Sequence, residues 1–173
     1  RAPAPGQGRR RRLDNREVAR VFSAISDLLA VRRGSPFKIR AYSAAAEVIR
    51  DYPVELRDML ARGEPLQDIP GVGVAIARKT EELLRTGRLE YFEKLKAESP
   101  PGVLDLMQVP GIGPRTASLL AGELGITSVD ELDSALHGVG LPGIGVARRE
   151  SLMKGIAEYR RRALSTLRPM DES

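Results

Sequence analysis

The sequence predicts an all-α protein of two small helical subdomains, and three observations predict it. Apolar residues recur at three- and four-residue spacing through most of the chain. No segment sustains period-two alternation with β-branched residues. One short pattern, apolar-Pro-Gly-apolar-Gly, comes back three times between helical stretches. The expected division is a disordered basic tail at 1–12, a first helical domain at 13–98 with one such hairpin, a second at 99–162 with two, and a C-terminal tail at 163–173.

Residues 1–12 hold only Arg, Pro, Gly, Ala and Gln, with no apolar face to offset the entropy of ordering. Structure is expected from Asp14. Val18, Val21, Phe22, Ile25, Leu28 and Leu29 then form the stripe of a first helix that ends by Gly34. Ser35 and Pro36 read as N-cap and first residue of a second helix, with Ile39, Tyr42, Ala45, Ala46 and Ile49 inward. Pro53 is expected to open a short third helix through Val54, Leu56 and Leu60. Leu89, Phe92 and Leu95 read as a connecting helix, and Val103, Leu104 and Met107 as the lead-in to the second hairpin. Val129 and Leu132 mark a helix started at Thr127 or Ser128. Asp130, Glu131 and Asp133 fall at that helix start, where carboxylates favour the dipole, so they are read as capping residues rather than metal ligands.

The repeats are Ile69-Pro70-Gly71-Val72-Gly73, Val109-Pro110-Gly111-Ile112-Gly113 and Leu141-Pro142-Gly143-Ile144-Gly145. Eleven residues past the last glycine of each stands Leu84, Leu124 or Ile156. Four past it stand Ala77 and Ala117, but Arg149 in the third copy. A glycine turn between two helices brings backbone amides to the surface with the positive end of a helix dipole behind them, which suits a phosphate. The expected contacts are Gly71, Gly73, Val74 and Ala75 in the first copy, Gly111, Gly113 and Arg115 in the second, and Gly143, Gly145 and Arg148 in the third, with Val72, Ile112 and Ile144 plugging the turns into the core. Pro114 has no amide, so Arg115 beside it offers a charge instead. Such a grip touches no base edge and reads no sequence. The plainer alternative, a turn that only joins two helices, loses ground with each added copy.

Composition narrows the chemistry. With no cysteine or tryptophan and His137 alone, disulfide scaffolds, Cys/His zinc sites and histidine triads are set aside. No apolar run reaches the ~18 residues of a membrane span, so no membrane partner and an intracellular, cytoplasmic location are expected, nucleoid-associated in a bacterium. The formal charge of +5 sits wholly in Arg1, Arg9, Arg10, Arg11 and Arg12. The 28 basic residues less those five leave 23 in residues 13–173, against 23 acidic ones. DNA affinity of the body must therefore come from local geometry; the tail is either a sequence-blind supplement or a solvated leader. The chain starts on Arg1 rather than Met, which suggests numbering inside a longer chain. The run through Met170, Asp171, Glu172 and Ser173 resembles a natural terminus.

Residues 13 to about 160 resemble the N-terminal part of family X DNA polymerases, the DNA polymerase beta-like group: a small lyase-type domain followed by a helix-hairpin-helix domain. The residues that carry the likeness are Asn15-Arg16-Glu17-Val18-Ala19, Pro36-Phe37-Lys38-Ile39-Arg40-Ala41-Tyr42, Ile69 to Gly73, Thr86-Gly87-Arg88-Leu89 and Val109 to Pro114. The bacterial enzymes are nearest, since they share the third Leu-Pro-Gly-x-Gly. The catalytic palm would follow residue 160, where only Arg161 to Ser173 remain, so polymerisation is not expected of this chain.

The resemblance implies sequence-independent binding to gapped or damaged DNA in repair, by a monomer with repair-protein partners. It also implies an alternative chemistry: a 5′-deoxyribose phosphate lyase, in which a neutral lysine amine attacks C1′ of an abasic sugar. Alignment on Gly73 puts Lys79 on that lysine, with Lys38, Arg78 and Arg40 as neighbouring cations. Of the family's 5′-phosphate pocket, Lys38 and Tyr42 persist, Phe37 stands where a histidine stacks on a base, and Gln67 and Ala75 replace two lysines. Lys79 reads equally as a solvated lysine beside Glu81 and Glu82. No cofactor is required; with DNA bound, the family implies a potassium or sodium ion on the carbonyls of Gln67, Ile69 and Val72, and of Met107, Val109 and Ile112. A non-catalytic protein-docking adaptor is the remaining alternative.

Overall fold

A computed structural model describes residues 13–167; the expected basic tail at 1–12 and the terminus at 168–173 lie outside the described residues. Among the described residues every regular element is helical, and the chain forms two compact units that divide between Glu98 and Ser99.

The first unit opens with α1 (Asn15–Val31), held by a capping box in which Asp14 accepts from the Glu17 amide and the Glu17 side chain accepts from the Asp14 amide. The predicted stripe is its buried face except at Val21, which is half-buried, with Phe22, Ile25 and Leu28 fully enclosed. The helix ends with the Gly34 amide bonded to Leu29 O at 2.8 Å and the Arg33 amide to Ala30 O at 3.0 Å. The left-handed residue of that ending is Arg33, at φ +55°, one position before the glycine that would hold it without strain. The helix thus ends by Gly34, as expected, through these two cap bonds.

Helix α2 (Pro36–Asp51) starts as expected, with Ser35 as N-cap and Pro36 at the first position. It buries Tyr42, Ala45, Ala46 and Ile49, while Ile39 is half-buried and accepts a hydrogen bond from the Ser26 hydroxyl of α1 at 2.9 Å. Helix α3 (Leu56–Ala61) begins later than Pro53, leaving Val54 exposed ahead of it and burying Met59 rather than Leu60. The cause is Asn15. Its side-chain amide donates to Val54 O at 2.8 Å and its oxygen accepts from the Leu56 amide at 2.8 Å, which fixes the intervening chain in an extended path. A 3-10 turn (Leu66–Asp68) leads to the first hairpin and α4 (Val74–Thr86), which stops at left-handed Gly87; α5 (Glu90–Ala97) follows.

The second unit contains α6 (Val103–Met107), whose buried residues are Val103 and Leu106. Past the second hairpin, α7 (Pro114–Ala117) continues as a π-helical stretch, Ser118–Glu123, closed by the Leu124 amide on Leu119 O at 3.0 Å. That wider turn shifts the register, so Leu120 and Ala121 are buried and Leu124 is half-buried at the end. Helix α8 (Val129–His137) starts from Ser128. Helix α9 (Val146–Leu167) runs beyond residue 162, where a tail was expected to begin, and buries Leu152 and Ile156. Among the described residues no helix is long and apolar enough to cross a membrane.

Candidate nucleic-acid interface

All three hairpins share one turn. Ile69, Val109 and Leu141 each accept a hydrogen bond from the amide three residues on, at 2.9, 3.0 and 3.2 Å, and Gly71, Gly111 and Gly143 have φ of +92°, +94° and +79°. Proline at the second position and a left-handed residue at the third define a type II turn, which explains the Pro-Gly pair in every copy.

The second glycine differs in kind. Gly73 (φ −78°) and Gly113 (φ −93°) are extended N-caps of α4 and α7, a backbone that any residue adopts. A Cβ added at either would meet no protein atom within 4 Å. Neither has a side-chain cap, so the first amides of each helix remain open, those of Val74 and Ala75 among them in α4. In α7 Pro114 leaves one amide fewer, and Arg115 is exposed beside it.

The plug into the core holds in two copies. Val72 is 2% exposed and Ile112 5%, whereas Ile144 is only half-buried, contrary to expectation. The reason lies four residues past the last glycine, where Ala77 and Ala117 are buried but the third copy carries Arg149. Its guanidinium donates to Leu136 O at 2.6 Å and Gly138 O at 3.2 Å, covering the C-terminal end of α8. Arg148 leaves the third hairpin for the second, donating to Thr116 Oγ1 at 2.8 Å and lying 3.4 Å from Gly111 O. The acidic residues of α8 separate in role. Glu131 accepts from the Thr127 amide at 2.7 Å, which lowers its carboxyl below the usual range, while Asp130 and Asp133 hold Arg160 at 2.6 and 2.8 Å.

In the first unit, a cavity of about 530 Å³ gathers Lys38, Tyr42, Gly71, Gly73, Val74, Ala75 and Lys79. The Lys79 ammonium lies 5.0 Å from the ring centre of Tyr91. Tyr42 stacks between Phe22 and Tyr91, 6.0 Å from each. Burial, then the neighbouring Tyr91, pushes its hydroxyl up to about 12, so it stays a neutral phenol. Glu82 is turned toward the start of α5, accepting from the Glu90 amide at 2.8 Å. Phe37 and Arg40 do not line the cavity: Phe37 is 78% exposed on α2, with the Arg40 guanidinium 5.3 Å from its ring centre. Gln67 is exposed on the 3-10 turn. Sequence reading missed Tyr91, because the stripe of Leu89, Phe92 and Leu95 passes over it.

Comparison with known proteins matches this geometry. The family described as helix-hairpin-helix domain matches residues 13–89, and the SAM-like helix-hairpin-helix tandem matches residues 103–137. The chain is 24% identical over 149 residues, 84% of its length, to DNA polymerase/3'-5' exonuclease PolX of Bacillus subtilis (strain 168), covering 25% of that protein. It is 26% identical over 127 residues, 71% of its length, to DNA polymerase lambda of Arabidopsis thaliana, covering 23% of that protein. The chain thus spans about a quarter of the length of these curated relatives. The chain thus carries two helix-hairpin-helix domains and is similar along most of its length to family X DNA polymerases.

Proposed function

We propose that the chain binds DNA through its sugar-phosphate backbone, without reading sequence, and serves repair at gapped, nicked or damaged sites. One observation carries this reading. Gly73 and Gly113 have ordinary backbone angles and empty surroundings, so nothing inside the fold calls for glycine there. What a side chain would obstruct is an approach from outside, at the open amides of a helix N-terminus. Arg115 and Arg148 add charge at the second hairpin, and the third, with its plug half-exposed, is the weakest candidate for a grip.

The test sets stability against binding. Aspartate is a good N-cap, so Gly73→Asp with Gly113→Asp is expected to leave the melting temperature level or raised. Each carboxylate would occupy the phosphate's place and repel it, lowering affinity for a nicked duplex by at least about tenfold. Wild-type affinity in the double variant would end the proposal.

The carbonyls of Gln67, Ile69 and Val72, and of Met107, Val109 and Ile112, suit a potassium or sodium ion at the DNA contact. Ile69 O and Val109 O each accept one turn amide, and a carbonyl has a second lone pair to offer. We place the protein inside the cell with its DNA, at the nucleoid in a bacterium, as a monomer with repair-protein partners.

A second reading rests on Lys79 sharing the cavity of Lys38 and Tyr42. On that reading the chain is a 5′-deoxyribose phosphate lyase. Borohydride should then trap wild type, but not Lys79→Ala, on an incised abasic duplex; binding by both without an adduct retires Lys79.

A further inference from the structure

We propose that α9 lays a second row of phosphate contacts beside the second hairpin, through Arg148, Lys154 and Arg161, so that this unit holds several phosphates of one strand. The proposal rests on the reading of the hairpins as phosphate grips, and deepens it.

Helix α9 passes against the hairpin. A Cβ on Gly155 would press on the carbonyl oxygen of Pro110 and lie 3.1 Å from Val109 Cγ1. Beside that crossing runs an open cleft of about 550 Å³, with Pro110 and Gly111 on one side and Ser151, Lys154, Glu158 and Arg161 of α9 on the other.

The cations of α9 sort into two sets. Arg149 is held by two carbonyls, Arg160 by Asp130 and Asp133, and Arg162 by Glu158 at 3.1 Å. Those charges are engaged, and so is the one carboxylate that lines the cleft. Lys154 and Arg161 are exposed and form no ion pair among the described residues, and Arg148 bonds only to neutral oxygens of the hairpin. The three uncompensated charges are those beside Gly111.

The arrangement also meets a need of this hairpin. Pro114 deprives it of an amide that the first hairpin has, and cations on a neighbouring helix make up the deficit in positive charge. Lys154 and Arg161 are two helical turns apart, roughly 10 Å of rise, which spans on the order of three phosphates at their axial spacing along a strand.

The test uses the full chain on a nicked duplex over a salt series, comparing wild type with Lys154→Ala/Arg161→Ala. A control, Arg85→Ala/Lys94→Ala, removes the same charge from two exposed positions of the first unit. The α9 variant is expected to lose about tenfold in affinity at low salt and to flatten the slope of log affinity against log salt by roughly two. The control should shift much less, and all three proteins should melt together. If the α9 variant binds like wild type, or no worse than the control, the inference falls while the hairpin reading stands. If wild type fails to bind, the hairpin reading falls first and takes this row of contacts with it.

Discussion

Gly155→Ala is expected to destabilise the second unit by about 3 kcal/mol, although glycine to alanine on an exposed helix face stabilises by up to about 1 kcal/mol. The reversal comes from what α9 crosses. The added methyl group would press on the Pro110 carbonyl oxygen, a backbone atom that has no rotamer into which it can retreat. The helix must lift instead, and Leu152 and Ile156, 1% and 2% exposed, lose contact with the core. Chemical denaturation of the full chain reads the effect as an earlier transition of residues 99–173. A midpoint equal to or above wild type would show that α9 has room to move.

Asn15→Ala should cost the first unit a similar amount, about 3 kcal/mol. Asn15 is 4% exposed. The substitution strands the Leu56 amide and the Val54 carbonyl, which it now satisfies at 2.8 Å each, and an unsatisfied buried backbone group costs roughly 1–3 kcal/mol. The Asn15 amide bond to Glu55 at 3.0 Å survives, being backbone on the Asn15 side, so the helix ends need not separate. The expected result is a lower urea midpoint at unchanged slope. A loss below about 0.5 kcal/mol would mean that water reaches both groups.

Elements whose information is local were legible from sequence. The stripe of α1, the Ser35-Pro36 start of α2 and the Ser128 start of α8 each follow from side chains within a turn or two, and each is in place. The same holds for the hairpin turn, which a Pro-Gly pair settles by itself. What the turn packs against was not legible, because the third copy repeats the five-residue pattern and loses the plug through one residue outside it, Arg149. The start of α3 depends on Asn15, some forty residues earlier in the chain, and no periodicity within 53–60 records that. Gly155 lies inside α9, and no local pattern records that another backbone comes close there. Of the expected contact residues, Lys38, Tyr42, Ala75 and Lys79 share one cavity while Phe37 and Arg40 stand outside it, since the lining is chosen by the approach of α2 to α4 and α5 rather than by proximity along α2.

The π-helical stretch at Ser118–Glu123 changes how the two regular hairpins correspond. Up to Ala117 a residue's counterpart in the first hairpin is found by counting from the glycines, and Ala77 with Ala117 obeys that rule. Beyond Ser118 the second helix takes more residues per turn than α4, so equal counts no longer mean equal faces, and Leu84 with Leu124 is the pair that fails. Equivalence between such repeats has to be measured by direction around the helix axis, and a role carried by residue number from one exit helix to the other would land on the wrong side of it.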